Sequence, residues 1–297
     1  MIMPNDVHGL IQLLDLEPIE KDIFRGISPK EDRQQVFGGQ VASQALVAAS
    51  RTVEDRSVHS LQAYFIRPGD LEAPLLYMVE RVRDGRSFTT RRVTTIQHGR
   101  PIFAMSASFQ RYEEGYEYQT PFPEGIPDPE DLAPFVLDGV PLNEDGRMTR
   151  PIEVRFVGGS PDERSPSYKP KVQAWLRATG TLPDDPVLHT CMFTYASDLM
   201  VLPTATRALP VIGYGIDFQA ASLDHAMWFH RQVKMDDWIF IDQISHSASN
   251  ARGIAWGTAW ARSGELVTSV VQEGLIRPLQ PVLTPQQDDQ QDDSVAP

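Results

Sequence analysis

The chain has a single cysteine, Cys191, among its 297 residues. An internal disulfide framework and a thiolate-clustered zinc site both need several cysteines, so the sequence excludes both. Cys191 lies among apolar residues in a predicted helix. There a small buried hydrophobic residue is the favoured interpretation, ahead of a nucleophile.

Positive charge is also scarce, and long apolar runs are missing. The chain carries 27 Lys+Arg against 40 Asp+Glu, a net charge of −13. Proteins that bind a phosphate backbone need a cationic surface, so nucleic acid is not an expected partner. The longest uncharged stretch, residues 34–50, is too short and too polar to span a bilayer. Residues 1–20 lack a basic signal-peptide region. We therefore expect a cytoplasmic protein without stable membrane insertion.

Several familiar catalytic motifs are missing as well. The segment Gly158-Gly159-Ser160-Pro161 lacks the spacing of a nucleophile elbow, and Gly213-Tyr214-Gly215 lacks the third glycine of a dinucleotide fingerprint. His225 and His230 stand five apart on a predicted strand, where they point to opposite faces and cannot share a metal. We predict no metal site and no cofactor.

The distribution of proline divides the chain into segments. Ten of the 24 prolines lie between Pro121 and Pro170, and a backbone without those amides sustains neither a helix nor a central strand. Residues 121–150 are therefore predicted to be a linker, and the Gln- and Asp-rich residues 278–297 a disordered acidic tail. Two domains of similar length remain, residues 1–120 and 151–277.

Both domains show the same predicted order of elements. In the first, helices are predicted near residues 7–14 and 41–49, and strands over residues 19–26, 58–66, 75–83, 88–97 and 102–111. In the second, a helix over residues 187–198 follows the capping pair Asp185-Pro186, and strands are predicted over residues 172–179, 220–230, 238–247, 254–262 and 266–277.

Short sequence matches support a duplication. Residues 64–67 match residues 228–231, and residues 90–93 match residues 251–254. A helix of about three turns followed by long antiparallel strands favours one helix wrapped by a curved sheet. The predicted fold class is α+β, with two such units in tandem.

Three polar residues remain as candidate functional groups. Asp198 lies at the end of a predicted helix, where the macrodipole disfavours a negative charge. A carboxylate placed against local preference indicates function. Ser222 and Gln272 lie on predicted strands, and each taken singly is better explained by a structural hydrogen bond.

Taken together, the chain resembles the type II acyl-CoA thioesterases, a family with a double hot-dog fold. The resemblance rests on Arg33-Gln34-Gln35-Val36-Phe37-Gly38-Gly39-Gln40, Tyr64-Phe65-Ile66-Arg67-Pro68-Gly69-Asp70, Tyr195-Ala196-Ser197-Asp198-Leu199, Asp224-His225-Ala226-Met227-Trp228-Phe229-His230 and Val271-Gln272-Glu273-Gly274.

The resemblance implies hydrolysis of fatty acyl-CoA by a water molecule that an Asp, a Ser or Thr, and a Gln activate. These roles fall on Asp198, Ser222 and Gln272. Ser222 stands where many bacterial members have Thr, and both residues carry the hydroxyl. In the first repeat, Ala107 is the predicted counterpart of Gln272. The counterpart of Asp198 is predicted near Gln44 or Ala45.

The first repeat thus lacks the carboxylate, and we expect one active site per chain. The amides of Gly38 and Gly39 are the predicted oxyanion donors. A group of arginines is more readily explained as a solvated hairpin face than as a phosphate site; it comprises Arg81, Arg83, Arg86, Arg91, Arg92 and Arg100.

Two alternatives stay open, a hot-dog hydratase or dehydratase and a non-catalytic acyl-CoA-binding protein. The family analogy also implies a homo-oligomer.

Overall fold

The computed structural model describes residues 6–29, 35–136, 150–159, 170–207, 209 and 218–280. The first half contains two helices, α1 (Val7–Leu14) and α2 (Gly38–Ser50). Its strands are β1 (Glu17–Glu20), β2 (Ile23–Gly26), β3 (Ser57–Phe65), β4 (Leu75–Asp84), β5 (Phe88–Gln97) and β6 (Arg100–Gln110).

The second half repeats this arrangement with additions. Its helices are α3 (Pro186–Ser197) and α4 (Val201–Thr206). Its strands are β7 (Ile152–Phe156), β8 (Lys171–Ala178), β9 (Phe218–Ser222), β10 (Asp224–Phe229), β11 (Ile239–Ser249), β12 (Arg252–Ala261) and β13 (Leu266–Pro278). The described strands form one antiparallel sheet in the order β1-β2-β4-β5-β6-β3-β10-β13-β12-β11-β8-β7, with β9 beside β13.

The two halves meet where β3 pairs with β10, and the register there is that of a two-fold axis. Ser60 lies opposite Trp228, and Tyr64 lies opposite Asp224. Exchanging the two halves turns each of these pairs into the other, with Ser60 replacing Asp224 and Tyr64 replacing Trp228. The predicted match of residues 64–67 to 228–231 has this same register.

The second predicted match, residues 90–93 with 251–254, is out of register. Arg91 lies opposite Ala107 on β6, and Ala255 lies opposite Gln272 on β13, so Arg91 corresponds to Ala255. The match had paired Arg91 with Arg252. An odd shift along a strand exchanges its two faces, which is why that match joined a buried arginine to an exposed one.

The helices α2 and α3 lie side by side under the sheet, and the local sequence explains both. Small residues dominate α2, and its positions 39–49 are all buried. The carboxylate of Asp185 accepts a hydrogen bond from Val187 N at the start of α3, and Pro186 occupies the first turn, where no intrahelical partner is needed. Cys191, on α3, is fully buried, as predicted.

Three elements differ from their predictions. The single strand expected over residues 19–26 is two strands, because Asp22 has a positive φ of 61° and turns the chain. The strand expected over residues 220–230 is also two, β9 and β10, interrupted at Leu223. Helix α4 was not predicted; its six residues include a proline and two threonines, a poor match to helical propensity.

The described part of the predicted linker covers the outer face of the second repeat. Phe122 packs against Trp175, Phe240 and Trp260. The Nε1–H of Trp175 donates to Pro127 O at 3.0 Å. A short 3-10 turn, Pro129–Asp131, brings Glu130 to Trp238 Nε1. The rest of the linker, residues 137–149, and the predicted acidic tail from residue 281 onward lie outside the described residues.

Among the residues that the structure describes, none of the helices combines the length and the apolar character needed to cross a bilayer.

Candidate active site

Asp198 caps the C-terminal end of α3, and only 9% of its surface is exposed. The N-terminal end of α2, from the other repeat, faces it. The backbone amide of Gly39 interacts with its carboxylate and acts to lower the pKa of that group. The positive end of the α2 dipole thus offsets the negative end of the α3 dipole. The position of the Asp198 carboxylate is unfavourable when α3 is considered alone, and the N-terminal end of α2 compensates for it.

The two helix ends approach so closely that glycine is required. A Cβ atom on Gly38 would lie 2.7 Å from Asp198 Oδ2, and one on Gly39 would lie 2.5 Å from the carbonyl oxygen of Tyr195. The aromatic ring of Phe37 packs edge-on against Tyr195 beside them, with ring centroids 5.0 Å apart. Any side chain at Gly39 would push α2 away from α3 and separate its amide from the carboxylate.

The predicted oxyanion donors, the amides of Gly38 and Gly39, lie at this N-terminal end of α2, next to the Asp198 carboxylate. Backbone amides at a helix N-terminus bind anions. The role of these two amides as oxyanion donors stays a prediction.

Ser222 is positioned by an irregularity between β9 and β10. Ser222 lies opposite Gly274, whereas Ala226 lies opposite Val271, so this side carries one residue more than β13 does. The carboxylate of Asp224 accepts from Glu273 N at 2.7 Å and occupies the gap in the ladder. The bulge reverses the alternation of faces. As a result Ser222 and His225 both point inward, although they are three residues apart.

Gln272 joins the candidate residues. It lies on β13 with 1% of its surface exposed. Its Nε2 atom donates to Asp198 Oδ1 at 2.9 Å and to Ser222 Oγ at 2.7 Å. The Ser222 hydroxyl lies 3.3 Å from the same Asp198 oxygen. The three residues selected from the sequence therefore form one hydrogen-bonded cluster.

His225 completes this cluster, and the sequence analysis assigned no catalytic role to it. Its Nδ1 contacts Gln272 Oε1, its Nε2 lies 2.9 Å from Ser197 Oγ, and it is fully buried. A continuous strand would have turned His225 to the outer face. The useful signal in the sequence was its position three residues after Ser222, because a bulge between two such residues places them on the same face of the sheet.

Burial sets the electrostatics of the cluster. It raises the pKa of Asp198 above that of a free aspartic acid, while His225 and hydrogen bonds from Gln272, Gly39 and Ser222 oppose this. Burial lowers the pKa of His225, although the Asp198 carboxylate opposes it. His225 is therefore a neutral imidazole, and the carboxylate of Asp198 has a raised proton affinity. A base with raised affinity abstracts a proton from water more readily at neutral pH.

Comparison with known proteins agrees with this architecture. A family model described as acyl-CoA thioesterase matches residues 162–275, and one described as acyl-CoA thioesterase N-terminal domain matches residues 28–110. Human acyl-coenzyme A thioesterase 8 is 38% identical over 293 residues, covering 92% of this chain and 91% of the human protein. Acyl-CoA thioesterase 2 of Haemophilus influenzae is 37% identical over 284 residues, covering 93% and 99%. The chain belongs to the acyl-CoA thioesterase II family.

A solved structure from this family matches the fold. The acyl-CoA thioesterase II TesB2 of Mycobacterium marinum superposes with a TM-score of 0.76 at 42% identity, covering 90% of this chain and 97% of that one. The predicted resemblance and the predicted α+β double hot-dog fold are both confirmed.

The corner of each repeat is the place where the end of α2 or α3 meets the strand beside the central β3–β10 pair. The first repeat of this thioesterase family member has different residues there. Leu61 on β3 lies opposite Ala107 on β6, so Ala107 is the counterpart of Gln272, as predicted. The prediction for Asp198 was wrong. Gln44 lies inside α2, where it binds Tyr77 Oη and Leu13 O. The end of α2 corresponds to the end of α3, and Thr52 stands just beyond it.

Arg91, the buried member of the arginine group, has a structural role. Arg91 is 2% exposed and binds Thr52 Oγ1, Thr52 O and Asp84. Arg81 is paired with Asp22, and Arg92 with Glu80. These contacts agree with the hairpin-face interpretation. In this arrangement the side chain of Arg91 is enclosed by the protein, so it does not contact a phosphate directly.

Candidate metal ligands do not converge in the part of the chain that the structure describes: no three of its His, Cys, Asp and Glu residues form a group that could hold an ion.

Proposed function

We propose that this chain hydrolyses fatty acyl-CoA thioesters with a water molecule held by Asp198, Ser222 and Gln272. The observation that carries the proposal is the amide of Gln272. It donates both of its N–H groups within the cluster, to Asp198 Oδ1 and Ser222 Oγ. Family membership supports the reaction class, since the relatives are named acyl-CoA thioesterases.

Asp198 is the proposed general base. Its carboxylate takes a proton from the water, whose oxygen attacks the thioester carbonyl carbon. The tetrahedral intermediate then collapses, the C–S bond breaks, and the thiolate of coenzyme A leaves and is protonated. The products are a free fatty acid and coenzyme A. A well-placed base contributes about 10²–10⁴-fold to such a step.

Ser222 orients the water directly in this proposal, and Gln272 does so through its hydrogen bonds to Ser222 and Asp198. Positioned groups convert an encounter into an intramolecular reaction, and small displacements cost rate. Ser222 is only half-buried, whereas Gln272 is enclosed. The reacting water is therefore expected on the Ser222 side of the Asp198 carboxylate, with Gln272 behind it.

The two alternatives are less well supported. A dehydratase needs a histidine that faces the substrate, but His225 is fully buried and both ring nitrogens have protein partners. A purely acyl-CoA-binding protein has no use for a buried carboxylate held by three hydrogen-bond donors, because burying a charge costs stability.

The same proposal includes three further expectations from the sequence. The proline distribution gives the domain division at residues 120, 150 and 277, the lack of signal and membrane segments gives a cytoplasmic location, and the family resemblance gives a homo-oligomeric assembly.

Thiol release from coenzyme A esters of graded acyl length, followed with a colorimetric reagent, tests the proposal. We expect turnover by the wild-type chain and a loss of about 10²–10⁴-fold in Asp198→Asn. Asp84→Asn, an exposed aspartate of the first repeat, is the matched control and should keep wild-type turnover. Near-wild-type hydrolysis by Asp198→Asn would overturn the mechanism. Absence of thiol release with every ester would overturn the function.

A further inference from the structure

The orientation of the Gln272 carboxamide decides whether the cluster can work. The oxygen and nitrogen ends of a carboxamide have nearly the same shape, and rotation by half a turn exchanges them. With Nε2 toward Asp198, the amide donates to the carboxylate and to Ser222. With the ends exchanged, Oε1 would face the Asp198 carboxylate without a proton between them. Something on the far side must select the first orientation.

The far side is His225. Its Nδ1 contacts Gln272 Oε1, and an amide oxygen can only accept. The ring is fully buried, and burial lowers its pKa, so it carries one proton. That proton must therefore lie on Nδ1. The unprotonated Nε2 then accepts from the hydroxyl of Ser197 at 2.9 Å.

Ser197 anchors this arrangement to the catalytic helix. It is the last residue of α3 and precedes Asp198 in the chain. Its single hydroxyl proton can go either to His225 Nε2 or to Thr194 O, which lies 2.9 Å away in the last turn of the helix; with Nδ1 protonated, it goes to Nε2. The contacts thus form a closed ring that runs from Asp198 through Gln272, His225 and Ser197 back to Asp198.

We propose that His225 is a positioning residue for the reaction: its Nδ1–H group, backed by the Ser197 hydroxyl, holds the Gln272 carboxamide with Nε2 toward Asp198 and Ser222. The inference rests on the proposed function of these three residues. His225 itself touches neither the water nor the substrate.

The first repeat supports this assignment. By the register of the strands, Leu61 occupies the place of His225 where Ala107 occupies that of Gln272. Both are fully or almost fully buried. The repeat without the amide also lacks the imidazole. A buried position at this point of the fold therefore does not itself require histidine.

Steady-state kinetics of two variants and a control test the proposal. His225→Leu installs the residue of the first repeat and removes the donor, whereas His225→Asn can present an amide N–H in the place of Nδ1. We expect kcat to fall about 100-fold in His225→Leu with KM within about threefold of wild type, because the amide loses its orientation while substrate contacts remain. In His225→Asn we expect most of kcat to return.

His189→Leu is the matched control. His189 is also a buried histidine of the second repeat, 3% exposed, and its Nδ1 accepts from Met235 N. It lies nine residues before Asp198 on α3, about 13 Å along the helix axis. We expect this variant to lose stability but to keep wild-type kcat. Wild-type kcat in His225→Leu, or equal losses in His225→Leu and His225→Asn, would overturn the proposal.

A spectroscopic measurement reads the tautomer of His225 in the wild-type protein. Long-range ¹⁵N–¹H NMR of histidine-labelled protein distinguishes the two neutral tautomers, and His225→Asn identifies the signal by its loss. We expect the Nδ1–H tautomer. The Nε2–H tautomer would overturn the proposal.

The outcomes also separate this inference from the proposed function. If Asp198→Asn is inactive while His225→Leu has wild-type kcat, only the positioning role fails. If Asp198→Asn is active, the water-activating cluster fails whatever the tautomer of His225.

Discussion

The two repeats build the same corner of the fold from different side chains. In the second repeat, the strand next to the central β3–β10 junction carries Gln272, and its neighbours carry His225 and Ala255. The corresponding residues of the first repeat are Ala107, Leu61 and Arg91. One framework thus holds an amide and an imidazole in one place and an alanine, a leucine and an arginine in the other.

The difference lies in how the polar groups are satisfied. In the first repeat, Arg91 donates to Thr52 Oγ1 at 2.8 Å and to Thr52 O at 3.0 Å, beyond the end of α2. Its guanidinium also binds Asp84, which lies largely in solvent. That corner is closed by the protein's own groups. In the second repeat, Ser222 is half-buried and shares the Asp198 carboxylate with Gln272, which leaves a polar surface for a water molecule.

Removing the amide should make the second corner resemble the first. We expect Gln272→Ala to lower kcat about 100-fold, because Asp198 and Ser222 lose the amide that holds them in place for the water. Adding His225→Leu should cause little further loss, since the histidine acts only through the amide. The measurement is a double-mutant cycle on kcat. Additive losses from the two changes would contradict a shared role.

Removing the buried guanidinium of Arg91 from the first repeat should lower stability and leave catalysis unchanged. We expect Arg91→Met to lower the free energy of unfolding by about 1–3 kcal/mol, because the buried carbonyl of Thr52 loses its donor. Urea unfolding measures the loss, and kcat should not change. Arg81→Met is the matched control. In its pair with Asp22, the Arg81 side chain is 43% exposed and that of Asp22 19%, so the loss should be smaller than that of Arg91→Met, at about 1 kcal/mol. A large fall in kcat with Arg91→Met would mean that the first corner takes part in the reaction.

The hydroxyl of Ser222 should matter less than the amide. Loss of one hydrogen bond to the water is worth about 1–1.5 kcal/mol, so Ser222→Ala should lower kcat about tenfold. Ser222→Thr keeps the hydroxyl and should stay within about threefold of wild type. Thiol-release kinetics of the three proteins provide the comparison. Equal activities of the Ala and Thr variants would remove the hydroxyl from the mechanism.

The smallest expected effect is a pH dependence of opposite sign in the two repeats. Burial raises the pKa of Asp198, so the folded state binds its proton more tightly and its contribution to stability falls as pH rises through the raised pKa. Asp198→Asn should therefore gain Tm relative to wild type as pH rises from about 4 to 8.

The hydrogen bond from Arg91 lowers the pKa of Asp84. Its contribution to stability is present above the unfolded value near 3.8 and is lost as pH falls through the lowered pKa. Asp84→Asn should therefore lose Tm at neutral pH and match wild type in strong acid. Thermal melts across the pH range measure both differences. A gain of Tm by Asp84→Asn at neutral pH, or a loss by Asp198→Asn, would reverse the comparison.

Much of this protein could be predicted from its sequence because the signals are local. Alternating strands, the cap at Asp185 and the small residues of α2 determine helices and strands by short-range chemistry. The order of these elements revealed the duplication. The family motifs selected Asp198, Ser222 and Gln272 as candidate residues, and the exclusion of disulfides needed only the count of one cysteine.

Only the tertiary structure decided how these residues meet. The bulge between β9 and β10 turns His225 inward. The alternation of apolar and polar residues in the sequence does not reveal a single extra residue. The N-terminal end of α2 reaches Asp198 from the other repeat, across a large separation in the chain. Both effects depend on register and close approach between distant segments. Local sequence does not encode these, because a one-residue shift exchanges the buried and exposed faces of a strand.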